Sequence, residues 1–595
     1  MNRLEHASNA VALANEIGLR RALGGCPGTH IFDDTTPGRH GGNVRILLIP
    51  CLIMLLSAPL LRGQSSPTAN DQLLARMIER EHEVTRDLAR FHPIVETYVQ
   101  VMTSRRGELT PSYDRHFVSL AEFAGELRAL RFKPRHSEIW RDIDEFSDSL
   151  KPTTLEYNPS GFVAMAYPEP STFDLMHYRF QFLTRESLGD VRCIVFQVSP
   201  ASMRKSGLFE GKVWVEDESL TIVRFKGIFR GTNMTGKYSH FDSWRVKTQP
   251  GLWVPAIIYS EETGLPCCGF WKLNWTKIRF KAETRFWGYD PHSSESREEF
   301  TRMFFDASGA VSDLSSSDRA RGPVDQKRLW ERQAELNVTD QLERIGLLSP
   351  IGEVEKTLQT VLHNIEVANN LSVEPEVRCR VLLTSNLESA VIGHTIILSR
   401  GLLDVLPGET ALAAVLAHNL ARVTLGDQVD ANFAWVDQVM FDPREVMRKL
   451  RFAHSPEQEE QASLRAQQWM LQSPYKLSLD SVTGFMEELR SRSPHIHQLL
   501  QASIGDGLYE TLGAGYLHSS VSVTKDIAKV RALPLGSRIR VDPWTGETTF
   551  VQAIGTELLS KSRNMPFEIS PLVPCLRQMQ SAPTSEVSSL KPTEN

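Results

Sequence analysis

Hydrophobic and polar positions change rhythm several times along the 595 residues of this chain. Leu73, Leu74, Met77 and Ile78 recur at helical spacing, as do Leu120, Phe123, Leu127 and Leu130, so the pattern predicts a helical segment over 70–150. From about Leu155 to Tyr289 the character is different. Short runs rich in β-branched and aromatic residues, such as Cys193–Val198, Lys212–Val215, Thr221–Phe225 and Trp253–Tyr259, alternate with turn residues. Glu216–Ser219 sits between two of these runs as a hairpin connection. Residues 151–307 are therefore expected to form a strongly curved antiparallel sheet. The Ser/Gly-rich stretch 308–325 reads as a linker. Helical periodicity resumes at Gln326 and, with Phe485–Leu489 as a late turn, carries to residue 500. Residues 501–580 read as a C-terminal α/β strap, with a β-turn-β piece around Pro534–Glu547, and 581–595 as a disordered Ser/Thr/Pro-rich tail. The expected class is α+β: a curved antiparallel sheet domain followed by a mainly helical one.

Composition narrows the possibilities. The length implies several domains, and 41% hydrophobic with 23% charged residues is ordinary for globular proteins. A net charge of -6 without a Lys/Arg run or stripe argues against a nucleic-acid partner. Seven cysteines are too few for a disulfide scaffold. Adjacent Cys267 and Cys268 do not easily bond to each other, and the sequence leaves open whether one pairs with Cys193. Near the N-terminus, Arg45 precedes an apolar run, broken by Pro50 and Pro59, that ends in Arg62-Gly63-Gln64. That profile predicts a signal peptide over 44–64 and a periplasmic or extracellular protein. Residues 1–43 read as an extension upstream of the true start, and membrane association is expected only if 44–61 is retained.

The chemistry concentrates in Leu412–Asp427, L-A-A-V-L-A-H-N-L-A-R-V-T-L-G-D. It parallels the zinc-binding helix pattern H-E-x-x-H, in which two imidazoles share one helix face beside a general-base Glu. Upstream lie an alternating run Val377–Leu383, then S-A-V-I-G-H-T-I-I-L-S-R-G-L-L (Ser389–Leu403) and Pro407-Gly408-Glu409-Thr410. Downstream is Glu459-Glu460-Gln461-Ala462-Ser463. In this order, residues 345–475 resemble the zinc metallopeptidase family that includes the CAAX prenyl endopeptidases and heat-shock membrane proteases. The resemblance implies a metallopeptidase-like domain over 326–500, an edge strand around Ile396-Ile397-Leu398 and a third ligand at Glu459. Ser463 stands where the family has Asp.

The chain departs from the family where chemistry matters most. Asn419 replaces the base and cannot accept a proton near neutral pH; Arg422 replaces the second ligand and carries a permanent charge. A guanidinium about 5 Å from a divalent ion costs roughly 6 kcal/mol at an effective dielectric near 20. No catalytic residue is therefore expected. His418 and Glu459 remain as remnant ligands, and no cofactor is expected. Zinc belongs only to the alternative of an active endopeptidase with a rearranged set drawing on His394 or His454. Arg422 is expected to pair with Glu459 in place of the metal; otherwise it points to solvent and Glu459 belongs to the charged run Glu457–Glu460. His495 and His497 read as exposed loop-to-helix residues.

No nucleophile motif, phosphate loop or CxxC is present. The expected function is non-catalytic binding of a polypeptide or lipid-modified envelope partner, with the 396–398 strand accepting a partner strand. A third possibility lies in residues 155–290. F-Q-V-S-P, G-K-V-W-V-E-D-E-S-L-T-I-V-R-F and W-V-P-A resemble periplasmic lipoprotein-carrier domains, which implies a cup for acyl chains.

Overall fold

A computed structural model describes residues 69–105, 108–121, 162–168, 171–202, 207–230, 240–248, 251–266, 277–290, 335–340, 342–426, 456–508, 539–551 and a few isolated positions. The expectations for 1–43, 44–64, the linker 308–325, His454, Cys267-Cys268 and the tail 581–595 lie outside the described residues.

Helix α1 (Ala69–Leu88) is followed directly by two long strands, β1 (Ile94–Arg105) and β2 (Glu108–Leu120). Among the described residues the helical reading of 70–150 therefore holds only to Leu88, and 130–150 lie outside them. In I-V-E-T-Y-V-Q-V-M the side chains alternate by two: Val95, Val99 and Val101 share one core while Glu96, Tyr98 and Gln100 face the other way. The apparent helical spacing from Leu120 onward straddles the end of β2 and the short β3 (Arg128–Ala129).

The remaining strands are β4 (Tyr178–Leu188), β5 (Val191–Pro200), β6 (Phe209–Glu216), β7 (Ile222–Phe229), β8 (His240–Lys247), β9 (Trp253–Pro266) and β10 (Lys277–Trp287). They form one ten-stranded antiparallel sheet in the order β3-β2-β1-β10-β9-β8-β7-β6-β5-β4. Glu216 to Leu220 makes the expected hairpin turn between β6 and β7. Cys193 is a free, buried thiol on β5.

The inner face of the sheet is filled by protein. Met77, Ile78, Val84 and Leu88 of α1 pack with Val95, Val99, Phe209, Phe225, Phe241 and Phe280. Phe209 lies against the backbones of the cross-strand pair Gly211 and Gly227, where a Cβ on either would approach the ring to 2.8 Å. Within this core Glu81 of α1 accepts two hydrogen bonds from Arg245 of β8, at 2.5 and 2.8 Å. Both side chains are essentially inaccessible, so the pair fixes how α1 sits on the sheet.

The opposite face of β1, β2 and β10 carries Glu96, Gln100, Asp114, His116, Glu283 and Arg285. A two-period pattern of this kind reads as a solvated face. Here it is covered by the second half of the chain, and residues 67–595 form one compact unit. That half contains α2 (Glu353–Ala368), β11 (Arg378–Leu382), β12 (Glu388–Ile392), β13 (Thr395–Ser399), α3 (Arg400–Val405) and α4 (Glu409–Leu425). It continues with α5 (Pro456–Gln472), α6 (Leu479–Arg492), α7 (His497–Leu500) and β14 (Asp506–Gly507). β15 (Ile539–Val541) and β16 (Thr548–Phe550) form the expected β-turn-β piece.

The four-stranded sheet runs β11-β13-β12-β14. Ile396-Ile397-Leu398 therefore lies in a central strand, paired on both sides and fully buried, and offers no edge. The resemblance implies an edge position, but strand order depends on distant segments, and β11 and β12 flank this strand on its two sides. β14 lies past residue 500, so residues read as a C-terminal strap contribute a strand to the four-stranded sheet.

Candidate functional site: a buried ion cluster on α4

Helix α4 begins at extended Gly408 and ends at Gly426, whose φ of 79° closes the helix in the left-handed conformation that favours glycine. It is apolar on nearly every side, and residues 413–423 are buried throughout. A helix of this kind belongs in a core. It packs between the four-stranded sheet and α2, α5 and α6. Its polar positions, His418, Asn419 and Arg422, must therefore find partners inside the protein.

They do so as one cluster. His418 Nε2 lies 2.9 Å from Glu459 Oε2, and Arg422 Nη2 donates to Glu459 Oε1. The expected ion pair between Arg422 and Glu459 is present, inside the protein rather than on a charged surface. Arg422 Nη2 is also 3.1 Å from Asp506 Oδ2 of β14, and Nη1 donates to Asn419 Oδ1 at 3.1 Å. Asn419 in turn donates to Val415 O at 2.8 Å and to Ser389 Oγ of β12 at 3.2 Å. Ser463 Oγ sits 3.4 Å from His418 Nδ1. His418, Arg422 and Asp506 are at most 1% exposed.

The network assigns the proton of His418. Nε2–H faces a carboxylate, which leaves Nδ1 to accept from Ser463. Burial lowers the pKa of His418; the hydrogen bond to Glu459 opposes this and the charge of Arg422 adds to it. The ring is thus a neutral hydrogen-bond donor. A zinc ligand would instead turn a bare nitrogen to the metal. The guanidinium bridges Glu459 and Asp506, joining α4 to α5 and β14 as a metal would join them.

The other candidates lie elsewhere. His394 is in the turn between β12 and β13, 3.8 Å from Glu335. His495 and His497 belong to a turn and to α7, packed against β2. His495 Nδ1 lies 3.4 Å from Ser112 O. Among the described residues no group of three or more His, Cys, Asp and Glu side chains is arranged to hold a metal ion.

Two members of the site escaped the sequence reading. Asp506 lies far beyond the motif, and no local spacing ties it to Arg422. Glu388 of β12 accepts from the backbone N–H groups of Ser503, Ile504 and Gly505 at 2.8, 2.9 and 3.1 Å. Burial raises its pKa against those three hydrogen bonds. The G-L-L motif, by contrast, has a local explanation. Ser399 caps α3 by accepting from Leu402 N–H, and a Cβ on Gly401 would fall 1.8 Å from Ser385 O.

A second buried network joins the two halves of the chain. Arg400 Nη2 donates to Glu96 Oε2 at 2.8 Å, and Ser385 Oγ to the same oxygen at 2.7 Å. His116 Nε2 is 2.8 Å from Glu96 Oε1. Burial pulls the Glu96 pKa upward, but the His116 hydrogen bond and the charge of Arg400 bring it down to about 2. Asp404 accepts from Arg400 at 3.2 Å and from Ile539 N–H at 2.9 Å. This network holds the half of the chain that carries α3 and the four-stranded sheet against the large sheet.

No protein-family model matches the chain, and no curated protein matches it. Among solved structures, the chain is similar to a crystal structure of a DUF1329 family protein from Desulfovibrio piger ATCC 29098. The identity is 10%, the match covers 35% of this chain and 92% of that one, and the TM-score is 0.15.

Proposed function

We propose that this protein is an exported, non-catalytic counterpart of zinc metallopeptidases that works as a binding or scaffold protein in the cell envelope. The observation that carries the reading is the bridge made by Arg422, which spans Glu459 and Asp506. Where a hydrolase needs an open coordination position and a carboxylate base, this chain has a sealed ion cluster and an amide. General-base assistance is typically worth 10²- to 10⁴-fold in rate, so Asn419 by itself removes most of what such a site achieves.

The acyl-carrier alternative has less support, because α1 and the Phe209–Phe225–Phe241 cluster fill the inner face of the sheet. A partner is expected to be a polypeptide or a lipid-modified envelope protein. Metal analysis of the purified chain tests the reading. We expect substoichiometric zinc and no chelator-sensitive cleavage of casein. The double variant Asn419→Glu/Arg422→His is expected to gain about one zinc per chain. One tightly held zinc in the unaltered protein, with chelator-sensitive cleavage, would overturn the proposal.

A further inference from the structure

The segment Ser503–Leu508 bends through 503–505 and runs as a strand at 506–507, gripped along β12. Its residues 506–507 pair antiparallel with Glu388–Ser389 at the outer edge of β12, and Leu508 N–H donates to Leu387 O at 2.8 Å. The Glu388 carboxylate collects three successive backbone N–H groups from it. The Asp506 side chain reaches the guanidinium that replaces the zinc ligand. Gly505 passes so close to the strand that a Cβ would lie 2.1 Å from Ser389 O. The grip thus selects a bend that presents three backbone N–H groups, a residue without a side chain, and then an extended step that starts with a carboxylate.

The occupant does not saturate the site. Among the described residues, Glu388 Oε1 and Arg422 Nε are both buried without a hydrogen-bond partner, one acceptor and one donor on the two side chains that hold the segment. The paired strand is only two residues long. Its N-terminal approach is held separately by the large sheet: Asp114 of β2 accepts from the N–H groups of Gln498 and Leu499, both at 2.9 Å. An incoming strand with more backbone groups to offer has polar atoms to satisfy that the resident segment leaves bare.

We propose that Ser503–Leu508 is an internal latch occupying a peptide-binding site, and that the external ligand is a polypeptide segment with a Gly-Asp step, bent before the Gly and extended from the Asp onward. The ligand displaces the latch by strand addition to β12 with its carboxylate on Arg422. This deepens the binding-protein reading above and rests on it.

The test uses the full chain with Asp506→Asn, which weakens the latch and leaves Arg422 in place. The probe is a fluorescent peptide with the sequence Gln501–Leu508, against the same peptide with Asn for Asp. The folded variant should bind the Asp peptide at least about tenfold more tightly than the Asn peptide and more tightly than the unaltered chain does. A folded variant that binds neither peptide, or both equally, overturns the latch. If the variant does not fold, hydrogen exchange in the unaltered chain decides. Amides of Ile504, Gly505 and Leu508 exchanging at least about tenfold faster than those of β13 support a latch that opens locally. Exchange only together with β13 overturns it. Zinc content measured on the same samples separates the two failures. A zinc-free protein blind to the peptide sinks the latch alone, whereas a zinc-loaded one that cleaves the peptide sinks the non-catalytic reading.

Discussion

Replacing Arg422 by Met removes the cation from a cluster that contains two carboxylates, Glu459 and Asp506, and leaves a side chain of similar length. The single positive charge bridges both acids at a site where Arg422 is 1% exposed and Asp506 fully buried. Breaking a buried pair by deleting one partner typically costs about 3–5 kcal/mol, because the remaining charge is left uncompensated. The cost should depend on pH in a way that identifies the cluster. In the native protein burial and the charge of Arg422 hold the His418 pKa below its usual 6.5. The unfolded chain therefore takes up a proton first, and native stability falls as pH drops below 6.5. In Arg422→Met the opposing charge is gone while burial still acts, so the folded pKa of His418 rises towards the unfolded value. The stability that the unaltered protein loses as pH drops below 6.5 is then lost to a smaller extent in the variant. The penalty should accordingly be smaller at pH 5.5 than at pH 8. Hydrogen exchange of α4 and α5, read as local opening free energy, is the assay; at pH 8 the variant should exchange roughly 10²- to 10⁴-fold faster. A loss below about 1 kcal/mol, or an equal loss at both pH values, would refute the assignment of the cluster as a metal substitute.

Three further outcomes follow from the other buried groups. Glu96 carries a carboxylate whose pKa falls from 4.5 to about 2 in the folded protein, so it contributes up to about 3 kcal/mol above pH 4.5 that disappears as pH falls towards 2. Glu96→Gln should flatten the acid limb of a thermal-stability profile between those values; an unchanged slope would contradict the pairing with Arg400 and His116. Arg245→Met strips Glu81 of its partner and should cost about 3–5 kcal/mol, seen as faster proteolysis within α1. Intact α1 at the native rate would speak against that role. Gly401→Ala drives a Cβ into the Ser385 backbone and should cost about 3 kcal/mol or more by differential scanning calorimetry.

Features held within a few turns of chain were readable from sequence alone. The strands from Cys193 to Tyr259 show in their β-branched runs, the turn at Glu216–Ser219 in its polar cluster, and α4 in its Pro-Gly start and Gly stop. Side chains four residues apart on one helix share a face, so the motif itself set the charge of Arg422 beside His418, while its pairing with Glu459 was expected from the family resemblance. Tertiary structure decided the rest, because it concerns which distant segments meet. β1 and β2 were hidden because Glu96, Gln100, Asp114 and His116 look like a solvated pattern until the second half of the chain covers them. The 396–398 strand is central because β11 and β12 both pair with it. Asp506 enters the cluster through a strand pairing closed across more than a hundred residues, and no local periodicity records a contact made by chain closure.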